Sequence, residues 1–296
     1  MLTMRLLRAL LLLGLLVTPL KAADFEVLKN VQYVKGGVPD QTLDFYWPRQ
    51  KPTATVLFIH GGSLLESGER RLATVYRDIC RPFAEAGFGC ANIDYRLGPK
   101  YKWPAMPQDV AAAVVSVRQL LASRGGNPDH LFLFGHSSGC HLAALLGADP
   151  KYLSAVGLTP RNLSGVIAMG CVLDRDDFVL RGITADQIRA AFAQDRAETD
   201  IYSTAEDMLA AIPSRYLGPH MPPTLVVVAE NERFMPPILE QGARFVRRVI
   251  ESGVPANLIV VPGKHMSSIA DVTQPGNKTF AAISAFLGEP LRVNSR

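Results

Sequence analysis

Two glycines, each two residues from a central serine, make Gly135-His136-Ser137-Ser138-Gly139 the segment of this chain with the clearest chemistry. Leu131-Phe132-Leu133-Phe134 ahead of it reads as a short buried strand, and Cys140-His141-Leu142-Ala143-Ala144 behind it opens a helix. A serine on so sharp a strand-to-helix turn takes a strained backbone conformation, so the positions flanking it must lack bulk. The turn lifts the Ser137 hydroxyl clear of the carboxyl ends of the strands, and the helix N-terminus behind it favours developing negative charge. The chemistry this predicts is attack by a hydroxyl on an acyl carbon. Ser138 is the other candidate nucleophile, but it is not centred between the glycines.

A serine hydroxyl needs a base to take its proton, a group to orient that base, and donors for the oxygen that becomes negative. His136 and His141 share the turn with Ser137 and point elsewhere; both read as packing or cap residues. Farther on lie His220, ahead of a strand, and His265, in Pro262-Gly263-Lys264-His265-Met266-Ser267 just after the last strand, where it can reach the serine. His265 is the expected base. The orienting acid is expected in the loop after the preceding strand, Glu230-Asn231-Glu232-Arg233, with Glu232 better placed than Glu230, which abuts the strand end. A solvated Glu232 paired with Arg233 is the bland alternative, and Asp271 is a second candidate acid. His60-Gly61-Gly62-Ser63 follows another buried strand, and its main chain, with the N–H of Ser138, can supply the oxyanion donors: Gly61, Gly62, Ser63 and Ser138 are the expected set.

The elements that must hold these groups alternate along the chain. Apolar β-type runs at 25–34, 42–47, 54–60, 88–95, 131–134, 166–170, 224–229 and 257–261 are interleaved with helical spacing at 71–86, 107–123, 138–146, 236–252 and 280–287. Such alternation implies right-handed crossovers and a sheet covered on both faces. The first two strands have only the Gly36-Gly37-Val38-Pro39-Asp40 turn cluster between them and are expected as an antiparallel edge. The fold class is therefore α/β: a doubly wound, mostly parallel sheet of about eight strands. Residues 174–219, charged and helix-leaning, are expected as a small cap insertion.

The chain has 296 residues, 48% of them apolar, enough for one large domain, expected over 23–296. Arg5 and Arg8 precede an apolar run at 9–17, followed by Lys21-Ala22-Ala23, which describes a signal peptide over 1–22 and export to the periplasm or the medium. An uncleaved N-terminal anchor is the alternative, although the run is short of the ~20 residues of a membrane span. Without Arg5, Arg8 and Lys21 the 31 basic residues fall to 28 against 27 acidic ones, scattered, so no nucleic-acid partner is expected. Cys80, Cys90, Cys140 and Cys171 lie in apolar stretches and are expected as buried thiols, with disulfides as the alternative export permits. None shows metal-ligand spacing, and no metal or organic cofactor is expected. Asn162-Leu163-Ser164 and Asn277-Lys278-Thr279 match the glycosylation pattern.

Together these residues resemble the α/β-hydrolase superfamily, in particular its esterase/lipase branch with the hormone-sensitive-lipase-like and kynurenine-formamidase-like enzymes. The resemblance covers about 31–287 and rests on His60-Gly61-Gly62, on Asp94-Tyr95-Arg96-Leu97 with 104–109, on the Ser137 turn, and on the Glu232 and His265 loops. It implies hydrolysis of a small carboxylic ester through an acyl-enzyme, or of an amide or formamide with the same machinery. The alternative from another class is a catalytically silent binding protein on the same fold. The chain departs from the family pattern in two places. Ser63-Leu64 stands where a further glycine or an aromatic pair is usual, and Glu232 where Asp is usual. By the resemblance, Arg96 and Asp109 form a structural pair beside the site.

Overall fold

The computed structural model describes residues 25–66, 70–71, 73–174, 183–232, 238–274 and 276–289; the expected signal peptide over 1–22 lies outside them. The strands are β1 (Phe25–Gln32), β2 (Thr42–Pro48), β3 (Thr55–Ile59), β4 (Gly89–Ile93), β5 (Leu131–His136), β6 (Gly165–Met169), β7 (Thr224–Ala229) and β8 (Ala256–Val261). They form an eight-stranded sheet in the order β1-β2-β4-β3-β5-β6-β7-β8. β1 runs antiparallel to β2, and β2 to β4; every later pair is parallel. The short turn between β1 and β2 leaves no room for a crossover, so antiparallel pairing follows. Every residue of β3 to β7 is buried, as expected for strands covered on both faces.

The helices are α1 (Arg81–Glu85), α2 (Ala105–Ser123), α3 (Ser138–Ala148), α4 (Pro150–Ser154), α5 (Ala185–Gln194), α6 (Arg196–Ile201), α7 (Ala205–Ala210), α8 (Ile238–Glu251), α9 (His265–Asp271) and α10 (Lys278–Gly288). Alternation along each strand divides the interior between them. Leu57 and Ile59 of β3 pack with Val110, Val114, Leu142 and Phe245, on the face of α2, α3 and α8. Val56 and Phe58 point the other way, to Phe83, Phe132, Phe134 and Ile283, on the face of α1, α9 and α10.

Among the described residues between β6 and β7, α5, α6 and α7 are each started by a capping side chain. Thr184 accepts from the N–H of Gln187 at 3.2 Å, Asp195 from Ala197 at 2.9 Å and Thr204 from Asp207 at 3.0 Å. α6 docks on the loop before α2. Trp103 N–H donates to the Ile201 carbonyl at 2.8 Å, and the Trp103 and Tyr202 rings lie 5.3 Å apart. Gly98 is required there, because a Cβ would stand 2.7 Å from the Asp200 carbonyl oxygen.

Two expectations need correction. Residues 71–86 do not form one helix; of the described residues there, only Arg81–Glu85 are helical, and turns precede them. Arg71 is buried, paired with Asp44 at 2.6 Å and Asp94 at 2.8 Å, and the Asn92 amide takes the carbonyls of Arg71 and Tyr76 at 3.1 Å each. The Tyr76 carbonyl is shared between the Asn92 amide and the Ile79 N–H of a turn, at 3.2 Å, and Pro82, which has no N–H to donate, suits the first turn of a helix, so the regular helix begins at Arg81. The cysteines are not buried thiols. Cys80 pairs with Cys90 and Cys140 with Cys171, with Cα atoms 5.3 and 5.8 Å apart. Each bridge joins a helix to a strand or strand exit that becomes its neighbour only through the crossover.

Candidate active site

The parallel register sets Ile59 level with Gly135, His136 with Met169, and Ala229 with Val261, so the loops leaving β3, β5, β6, β7 and β8 open along one edge. This is the edge at which α/β ligand sites form. Ser137 stands there between β5 and α3 with φ 55° and ψ −125°, a strained conformation for a residue with a side chain. Its flanking glycines are needed by contact. A Cβ on Gly135 would lie 2.0 Å from the Gly139 carbonyl oxygen, and one on Gly139 would lie 2.1 Å from that of Ile59.

His265 opens α9 after β8, and Glu232 follows β7. The Ser137 hydroxyl lies 3.0 Å from His265 Nε2, and His265 Nδ1 lies 2.6 Å from Glu232 Oε1. A carboxylate only accepts, so Nδ1 carries the ring proton, leaving bare Nε2 to accept from the serine. The Glu232 side chain is 3% exposed, which shields the pair from solvent.

The other candidates are elsewhere. Glu230 accepts from the Asn231 amide at 3.2 Å and the Gly263 N–H at 3.5 Å, tying the β7 loop to the β8 loop. Asp271 closes the helix that His265 opens, about 9 Å away along the axis. His220 bonds the Ala148 carbonyl through Nε2 at 2.7 Å, ahead of β7. His136 is buried beneath the site, its ring 4.7 Å from that of His265, and His141 lies beside Trp103 at 6.5 Å. The Arg96–Asp109 pair forms, with Arg96 Nη2 2.7 Å from Asp109 Oδ1 and the Gln41 amide donating to the same carboxylate.

The loop after β3 is turned back on itself, with positive φ at Gly62 (112°), Ser63 (60°) and Leu64 (62°). No acceptor pairs with the N–H of Gly62, Ser63 or Ser138 among the described residues. The loop's footing was not foreseen. The His60 ring stacks on Tyr95 with centroids 4.4 Å apart, and Nδ1 donates to the Gly61 carbonyl at 2.6 Å. Tyr95 O–H in turn donates to the His60 carbonyl at 2.7 Å. Burial pushes the His60 pKa down to about 4, so the ring is neutral.

A cavity of about 310 Å³ opens over Ser137, lined by Ser63 and Leu64, by Cys171, by Glu198 and Ile201 of α6 and by Tyr202 just after it. Among the described residues no group of three His, Cys, Asp or Glu side chains is placed to hold a metal ion. Nor is any described helix long and apolar enough to cross a membrane.

The chain is similar to known proteins. Esterase LipC of Mycobacterium tuberculosis is 29% identical over 272 residues, 88% of this chain and 65% of that protein. The chain thus spans less than two thirds of that relative's length. Esterase B of Lactobacillus rhamnosis, in its C6-C4 SN3 inhibited crystal structure, superposes with a TM-score of 0.68 at 23% identity, over 89% of this chain and 86% of that one. A truncated carbohydrate esterase from gut microbiota gives 0.67 at 20% identity, over 90% and 97%. These likenesses establish the α/β-hydrolase fold. A family model, BD-FAE, matches residues 43–247, from β2 into α8, and takes in both the loop after β3 and the Ser137 turn. Matched over more than half its length, the chain belongs to the BD-FAE family, an esterase/lipase family of the α/β-hydrolase fold.

Proposed function

We propose that this chain is a serine carboxylesterase that cleaves small carboxylic esters through an acyl-enzyme, without metal or organic cofactor. The observation that carries this reading is the unbroken hydrogen-bonded line Ser137–His265–Glu232 at the floor of a cavity. Ser137 Oγ attacks the ester carbonyl carbon while its proton passes to His265 Nε2. Glu232 holds the imidazole by Nδ1 and stabilises the cation that forms. The carbonyl oxygen, now negative, is met by the N–H groups of Gly62, Ser63 and Ser138, with the Gly61 turn shaping the hole. Each such donor is worth ~2.7–4 kcal/mol to the transition state. Collapse of the tetrahedral adduct breaks the C–O bond, and His265 returns the proton to the departing alcohol. Water then repeats the sequence on the acyl-serine.

Residues 174–219 serve as a partial cap, since α6 supplies one wall of the cavity. That volume suits short acyl chains. The chain is read as exported, consistent with a leader over 1–22 and with two disulfides, which persist in oxidising compartments.

The test is labelling with a fluorophosphonate probe beside a series of p-nitrophenyl esters of increasing chain length and an N-formyl aromatic amine. Labelling of the wild type, none of Ser137→Ala, and fastest turnover on short esters are expected. Absence of labelling in the wild type, or undiminished labelling of Ser137→Ala, overturns the reading. Faster turnover of the formyl amine than of any ester replaces the ester by an amide as substrate.

A further inference from the structure

Beneath the line that reaches Ser137 runs a second one, built on two buried side chains. Tyr76 O–H lies 2.8 Å from His136 Nδ1, and His136 Nε2 lies 3.1 Å from the main-chain carbonyl oxygen of His265. The chemistry fixes every proton. A carbonyl can only accept, so Nε2 carries the ring proton and donates; Nδ1 is then bare and accepts from the tyrosine. Tyr76 and His136 are fully buried, and the two histidine rings lie 4.7 Å apart. The same His265 carbonyl receives the Ser268 hydroxyl at 3.0 Å, so two donors converge on it. Burial, and the nearness of His265, hold the His136 pKa down to about 3, so the ring stays neutral while His265 acquires and returns its proton.

We infer that His136 is a positioning residue for the reaction: held in its Nε2–H tautomer by Tyr76, it grips the His265 backbone and sets the imidazole against Ser137. It touches no reacting atom. His265 begins a helix immediately after a loop, and an imidazole reaching Ser137 at 3.0 Å depends on where that first residue sits. This inference rests on the proposed esterase reading, for without it there is no reaction to position.

Two polar variants separate the grip from mere filling of space. His136→Gln places an amide N–H near the site of Nε2 and can still reach the His265 carbonyl. His136→Asn keeps a partner for Tyr76 but stops short of His265. With p-nitrophenyl acetate, His136→Asn is expected to lose about 10- to 100-fold in kcat with KM within about twofold, a loss of the size a misplacement of about 1 Å produces. His136→Gln is expected to stay within about fivefold of wild type. Equal kcat for the two variants, in a wild type that turns over, overturns the inference and leaves the esterase reading standing. A wild type that neither turns over nor labels overturns the esterase reading itself. Should His136→Asn fail to fold, 15N spectra of the wild-type imidazoles decide: a proton on His136 Nε2 at pH 7 supports the inference, and a proton on Nδ1 overturns it.

Discussion

Consider Gly61→Ala. Its backbone is not in the left-handed region, so alanine meets no conformational penalty there and the effect is one of space alone. A Cβ at Gly61 would lie 2.5 Å from the Tyr76 hydroxyl oxygen and 2.8 Å from Ser137 Cβ. Both are short of ordinary contact by about 0.6–0.9 Å. Neither neighbour can withdraw. Tyr76 is buried and bonded to His136, and Ser137 is held on its turn by two glycine contacts. The loop after β3 must therefore back away from the Ser137 turn by most of that distance. Overpacking of this kind costs about 1–3 kcal/mol, and a displacement approaching 1 Å between reacting groups costs about 10²-fold in rate. We expect kcat/KM on p-nitrophenyl acetate to fall about 100-fold and the melting temperature by about 2–10 °C. Both are measured on one preparation, the rates well below the melting temperature. A variant within about threefold of wild type, with its melting temperature unmoved, refutes the reasoning that the two loops are locked against each other.

Glu232→Gln leaves the hydrogen-bonding shape but removes the charge that holds His265, so kcat on the same ester should drop by about 10³–10⁴ with little change in KM; a loss under tenfold shifts the acid elsewhere. The double variants Cys80→Ala/Cys90→Ala and Cys140→Ala/Cys171→Ala, with 10 and 31 residues of sequence separation, should lose about 3 and 4 kcal/mol in urea unfolding. The second should also raise KM, because Cys171 lines the cavity, whereas equal KM values would detach that bridge from the site. His60 and His136, with pKa values near 4 and 3 when folded, take up protons more readily once unfolded. Stability should therefore be full above pH of about 6.5 and decline below it, by about 1 kcal/mol per pH unit for each histidine. Urea midpoints at pH 7, 6 and 5 measure this, and His136→Gln should flatten the slope.

What could be read in the chain before its structure was the periodic part. Buried strands read as unbroken apolar runs, and the Ser137 turn announced itself because glycines are needed at fixed offsets. The meeting of His265 and Glu232 beside Ser137 was accessible by elimination, since few histidines and acids fall in loops that leave a strand at the carboxyl edge. What stayed hidden depends on pairing across the sheet. Arg71 carries no sign of being buried between Asp44 and Asp94, residues 27 and 23 positions away. Tyr76 looks like any helix residue until β5 brings His136 under it. Cys80 and Cys140 meet Cys90 and Cys171 only once the crossovers close, and an apolar stretch suits a thiol as well as a bridge.

The loop after β3 turns Ser63 and Leu64, two residues with side chains, into a conformation that glycine takes freely, at about 1–2 kcal/mol for each. Leu64 is 4% exposed and cannot swing out to relax. The protein thus spends a noticeable fraction of its marginal stability holding a few main-chain amides in one direction. On the proposed mechanism, a glycine at either position would make a sturdier molecule with a slacker anion cradle. If the loop serves the proposed esterase in this way, thermal robustness and turnover pull against each other there, and selection for heat resistance would dull the reaction.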